Sequence, residues 1–181
     1  MQFESLLATD QPPDLGPGPR AGVQSETALT AELTSFFQQH KMPQPKQVLL
    51  KALILLWHDH LDAAHKLAQD IDNPDGAFLH GIMHRREPDF SNAAYWFRRV
   101  GRHAAFPDLA KRSSKLLASR GALHLDRALL PQQQWEPFAF ISACERVIGK
   151  PASDSERQVV RELQRLESQT LLDYFMKEGG A

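Results

Sequence analysis

HDHLDAAHKLAQDIDNPDGAFLHGIMHRREPDFSNAAYWFRRVGRH, residues 58–103, holds six of the chain's eight histidines and five of its arginines. Its middle is punctuated as two helices. Asn73 can accept from the unpaired amides of a first helical turn, and Pro74 suits the first helical position. The helix so opened stops by Glu87, because Pro88 disfavours the α conformation in the residue before it. Asp89 or Ser91 then caps a second helix in DFSNAAYWFRRV, and Gly101 fits its left-handed end. The spacing predicts an αα-hairpin over 74–100, joined by a tight proline-containing turn.

Upstream, residues 45–70 run without a breaker and are apolar on almost every side in their first half. That pattern predicts a central helix buried by several neighbours. Before it, Ser25 or Thr27 can cap a short helix to about Gln39, with Leu29, Leu33, Phe36 and Phe37 at helical spacing. Residues 9–24, TDQPPDLGPGPRAGVQ, are dense in proline and glycine, so 1–24 reads as a flexible arm in which only Phe3, Leu6 and Leu7 could dock.

Downstream, Pro107 opens a helix to about Ser119, ended by Gly121, and residues 124–134 read as an irregular connection. A helix over 135–148 follows, with Phe138, Ile141, Val147 and Ile148 as its apolar set. Ser153-Asp154-Ser155-Glu156 is a capping box that launches a long charged helix to about Lys177. Its Val159, Leu163, Leu166 and Tyr174 suit docking on the body or on a second copy, which makes a homo-oligomer a candidate assembly. No strand pattern occurs. The expectation is an all-α single domain over 25–178, six or seven helices packed around the central helix at about 45–70.

With 181 residues and 42% hydrophobic content, the chain can bury one sizeable core. The net charge is -1, but residues 85–120 carry nine Lys or Arg against three acids. No global field draws the chain to nucleic acid or an anionic membrane. Tyr95, Trp96 and Phe97 lie among basic residues as base stacking would need, yet their spacing assigns them to a core. The most apolar window, 48–57, contains Lys51 and is about half of the roughly 20 residues that span a bilayer. The opening MQFESLLATD lacks a secretory signal's basic start, and Cys144 stands alone, so a cytoplasmic location is expected. Cys144 follows apolar residues and precedes Glu145, which disfavours a thiolate, and no phosphate-binding or nucleophile-elbow motif is present.

Within 77–101, Ala77, Leu79 and Gly81 precede an acidic turn residue, Asp89, and then Ala93, Trp96, Phe97, Arg98 and Arg99. This order resembles one degenerate Sel1-like repeat, a relative of the tetratricopeptide repeat. The resemblance implies close helix packing at Gly81 and Ala93 with Trp96 filling the gap, and by analogy a protein partner. The loop is HRREP where the repeat has a glycine-rich turn, and no second copy follows at a period of 34 to 40 residues.

Positions i, i+4 and i+7 fall on one side of a helix. His58, Asp62 and His65 have that spacing, and so do His80, His84 and Glu87. Imidazoles and carboxylates on two facing helices suit Zn, Ni or non-haem Fe, so these six are a candidate ligand pool for a divalent transition metal. Antiparallel packing either brings the stripes into one groove or splays them apart, and the sequence leaves both open. His60 points nearer the apolar side, as a hydrogen-bonded core histidine would. Arg85, Arg86, Arg98, Arg99, Arg102 and His103 form a second set, since guanidinium forks match phosphate or carboxylate oxygens. Two functions follow as expectations: a helical binding protein whose His/Arg-lined groove takes an anionic small ligand or partner protein, or a metal-dependent hydrolase or oxygenase using the two-helix site.

Overall fold

The computed structural model describes residue 7 and residues 9–177. Phe3, Leu6 and most of the opening ten residues read for a targeting signal lie outside them, whereas Leu7 is buried in the core. The described helices are α1 (Glu26–Gln39), α2 (Gln44–Trp57), α3 (Leu61–Ala68), α4 (Pro74–Arg86), α5 (Phe90–Val100), α6 (Phe106–Ser119), α7 (Leu123–Leu129), α8 (Pro137–Val147) and α9 (Ser155–Lys177), with no strand among the described residues.

Local caps set most of the starts. Ser25 accepts from the Ala28 amide, Asn73 from Gly76 at 3.0 Å and Asp89 from Asn92 at 3.1 Å, satisfying donors that a first turn leaves unpaired. Gly101 and Gly121 close α5 and α6 at φ +59° and +65°. The reciprocal box expected before α9 does not form. Asp154 caps that helix through the Arg157 amide at 2.9 Å, while Glu156 reaches Arg146 at 2.6 Å and Lys150 at 2.8 Å.

The helix expected over 45–70 is two helices. At the end of α2, His60 N–H donates to Leu55 O at 2.9 Å and Asp59 N–H to Leu56 O at 3.3 Å, with Asp59 at φ +65°. That is a Schellman closure with aspartate where glycine is usual. The Asp59 side chain is 1% exposed and accepts from Arg20 Nη1 and Arg86 Nη2, both at 2.6 Å, and from the Arg20 amide at 2.9 Å. Two partners distant in sequence therefore stabilise the break. This split, with α7 forming where an irregular connection was expected, raises the count from six or seven helices to nine among the described residues. Leu125 and Leu129 draw α7 in, both buried.

Residues 9–24, expected to be mobile, are laid across the helices. Leu15 is 1% exposed, Asp14 pairs with Arg157 at 2.9 Å, and the Gly16 carbonyl accepts from Arg86 at 3.1 Å. Proline and glycine deny this strap a backbone ladder, and side chains from α4 and α9 bond several of its carbonyls.

Two apolar clusters make the interior. One joins α1 to α5 with the end of α9, and the other joins Leu15, α6, α7 and α8 with the start of α9. α9 crosses both. At the seam Arg85 from α4 forms a bidentate pair with Glu167 from α9, both buried, and its guanidinium lies 4.5 Å from the Phe140 ring centroid. Val159 and Leu163 are buried in this same chain, and Leu166 and Tyr174 pack against it. Of the two dockings expected for this apolar set, the structure shows the one on the body. No described helix is long and apolar enough to cross a membrane.

Candidate functional site

The α4–α5 hairpin is held close by Gly81, where a Cβ would sit 2.6 Å from the Phe97 ring. Phe97, rather than Trp96, fills the gap beside that glycine. Trp96 instead stacks on His80, with ring centroids 3.9 Å apart and planes 13° from parallel. Among the described residues no second pair of helices repeats this unit.

The two histidine stripes meet in part. His65 on α3 lies 5.2 Å from His80 and 5.8 Å from His84, ring centroid to centroid, and His80 and His84 are 6.3 Å apart. Glu87 joins through its carboxylate, 2.9 Å from His84 Nδ1. The Asn92 amide touches the edge of His84 at 3.2 Å. His80 is buried, and its Nδ1–H donates to Gly76 O at 3.0 Å, leaving Nε2 as the lone-pair nitrogen. Burial pushes His80 below the ordinary imidazole range, against the Gly76 bond that favours its proton and with the help of His65 and His84.

His58 and Asp62 do not belong to that cluster. α2 ends before His58, so it does not share the α3 stripe. Its Nδ1 accepts the Gln24 amide at 3.1 Å, while His60 Nε2–H donates to Gln24 O at 2.8 Å. The two imidazoles clasp one backbone unit of the strap. Asp62 is exposed on α3. As the side chains stand, no three His, Cys, Asp or Glu among the described residues are set to ligate one ion.

The arginine set also divides. Arg85 is taken by Glu167, and Arg86 donates to Leu56 O, Gly16 O and Asp59. Both are buried at 1% exposure, so neither stands at the rim of a groove as expected. Helix position explains this: α4 is buried along nearly its whole length, and the two forks cancel buried carboxylates and helix-end carbonyls. Arg99 pairs with exposed Asp72 at 2.9 Å and lies over Trp96. His103 is buried too. Its Nδ1 accepts the Ala105 amide at 3.1 Å and its Nε2–H donates to Asp75 at 2.8 Å, so it fixes the turn into α6.

Arg98 and Arg102 are different. Both are exposed, and no described carboxylate pairs with either. They stand on the wall of a cleft of about 680 Å³ where the end of α5 faces the starts of α6 and α8. Its other walls include Phe97, Phe106, Trp135 and Phe138, with the Gln133 and Gln134 amides on one side. Phe138 is 40% exposed, whereas Trp135 is 5% exposed and its indole N–H has no partner. No side chain caps the start of α6, while Glu136 accepts from the Phe138 amide at the start of α8. The aromatic half of the cleft escaped the sequence reading. Trp135 and Phe138 lie more than 30 residues beyond Arg102, and the sequence marked them only as the start and an apolar position of a helix over 135–148.

Concave, aromatic-walled and edged by two free guanidinium groups, the cleft can desolvate a flat apolar body while its rim pairs an anion. No protein-family model matches the chain, and neither does any curated protein or solved structure.

Proposed function

We propose that the protein is a binding module for an anionic small molecule with a flat apolar or aromatic body. The observation that carries this is the placement of unpaired Arg98 and Arg102 on the wall of an aromatic-lined cleft of about 680 Å³. That volume lies in the range of small-molecule pockets, roughly 300–1,000 Å³. The ring faces supply contact area, and the guanidinium forks supply orientation through carboxylate or phosphate oxygens. Glu136 on the same wall selects against a second negative charge near α8.

The test is tryptophan fluorescence of a full chain in which Trp57→Phe and Trp96→Phe leave Trp135 as the reporter, titrated with an aryl carboxylate, an aryl phosphate and their neutral amide and alcohol analogues. A saturable change is expected with the acids, weakened at least tenfold in the Arg98→Ala/Arg102→Ala double variant and by added salt. Equal response to the neutral analogues, or unchanged affinity in the double variant, would overturn the reading.

A further inference from the structure

The histidine cluster lies on α3 and α4, with Trp96 and Asn92 of α5 against it, and it is separate from the aromatic cleft. Three imidazoles on one ion at a Zn–N distance of about 2.1 Å place their ring centroids roughly 5 to 5.5 Å apart. The observed separations are 5.2, 5.8 and 6.3 Å. The rings are therefore gathered at nearly the spacing of a ligand set, without yet aiming at one point.

Two of the three carry the supporting bonds that ligand histidines have. A metal-bound imidazole commonly gives its other ring N–H to a backbone carbonyl or carboxylate, which fixes its tautomer and orientation. His80 gives Nδ1–H to Gly76 O at 3.0 Å and is clamped flat by Trp96. His84 presents Nδ1 to the Glu87 carboxylate at 2.9 Å. In both, Nε2 is the nitrogen left for a ligand bond. His80 and His84 are one helical turn apart on α4, so their ring nitrogens can reach one point from a rigid frame. His65 has no hydrogen bond and is half-buried, so it can turn toward that point without breaking one. The Asn92 amide at the His84 edge has to swing away.

We propose that His65, His80 and His84 bind a divalent transition-metal ion, Zn²⁺ by preference, with Glu87 holding His84 from behind and water in the remaining position. Three neutral nitrogens suit Zn, Ni, Cu or Co and exclude the oxygen-seeking Ca and Mg. Closure asks most of His84, because the widest pair, His80 and His84 at 6.3 Å, lies on α4 itself and His80 is held in place by Trp96 and Gly76.

The experiment is isothermal titration of the full chain, purified without a histidine tag, with ZnCl₂ and separately with CaCl₂, followed by dialysis and elemental analysis. One Zn²⁺ per chain at micromolar affinity or tighter is expected, with no Ca²⁺ uptake. His84→Ala and His65→Ala each lower the affinity at least tenfold, Glu87→Gln lowers it less, and His124→Ala, on an exposed helix end, changes nothing. Circular dichroism confirms that each variant is folded. If His84→Ala unfolds, His65→Ala decides, since that ring holds no hydrogen bond. Failure to bind one Zn²⁺, or equal losses in His65→Ala and His124→Ala, would overturn the proposal. Ligand binding in the aromatic cleft is read by other residues, so either reading can fail alone.

Discussion

Arg85 and Glu167 join the two apolar clusters, and their pairing shows what a buried charge demands. The carboxylate raises the Arg85 guanidinium above its ordinary range even though burial, the largest influence, pulls the other way. Cys144 nearby is pushed up to about 12, first by burial, so it remains a thiol. Two unpaired charges here would each cost several kcal/mol, whereas the bidentate pair offsets most of that. Glu167→Gln leaves the guanidinium uncompensated and is expected to destabilise the fold by about 3 to 5 kcal/mol. Arg85→Met/Glu167→Met recovers most of the loss, because apolar side chains of similar volume replace the pair. Urea denaturation of the three proteins checks this; a single variant as stable as the parent would show that the pair does not hold the seam. Asp59 works by the same rule with Arg20 and Arg86, and in addition takes a backbone conformation that most residues avoid.

Helices in this protein are aimed by charges at their ends. The start of α9 is tied to the end of α8 through Glu156, which meets Lys150 and Arg146. Hydrogen bonds from Lys150 and then Arg146 draw its carboxyl down to about 2, from 4.5. A depressed carboxylate contributes stability above its unfolded value and loses it as pH falls through the folded one. The contribution of Glu156 is therefore complete above about pH 5 and gone near pH 2. Because the cluster is partly solvated, its size is about 1 kcal/mol or less. Glu156→Gln should lower the melting temperature at pH 7, and its difference from the parent should close between pH 4.5 and 2. A difference constant across that range would remove the ion cluster as its cause.

Across the whole molecule, the strap at residues 9–24 ties the two clusters together. Its Leu15 sits in the cluster of α6 to α9, while Gly16 and Arg20 bind Arg86 and Asp59 at the other. Removing the Leu15 side chain leaves a cavity under a segment with no ladder of its own. Leu15→Ala is expected to cost about 2 to 4 kcal/mol and to make residues 9–24 a site of rapid proteolysis. A variant with unchanged unfolding midpoint and unchanged cleavage would show that the strap rests on the body without bracing it. The same arrangement forms the aromatic cleft, since Arg98 and Arg102 reach Trp135 and Phe138 only because α8 packs beside α5.

Sequence by itself determined the helical class, the cap at Asn73, the choice of Ser25 or Thr27 and of Asp89 or Ser91 for two others, the glycine ends at 101 and 121, and the hairpin of α4 and α5. Those are short-range effects: a side-chain oxygen within three residues of an orphan amide, or a glycine free to take positive φ. Helical spacing also put His65, His80, His84 and Glu87 into a pool of six with His58 and Asp62, because angle around an axis follows directly from residue number, but it could not separate the four from the two. Tertiary structure decided the rest. Asp59 ends α2 through guanidinium groups 27 and 39 residues away, and the strap is ordered by carbonyl bonds to α4 and α9. Which arginines are buried braces and which remain free depends on what packs over each face. Burial of a charge is a property of its surroundings, and residue spacing carries no record of them.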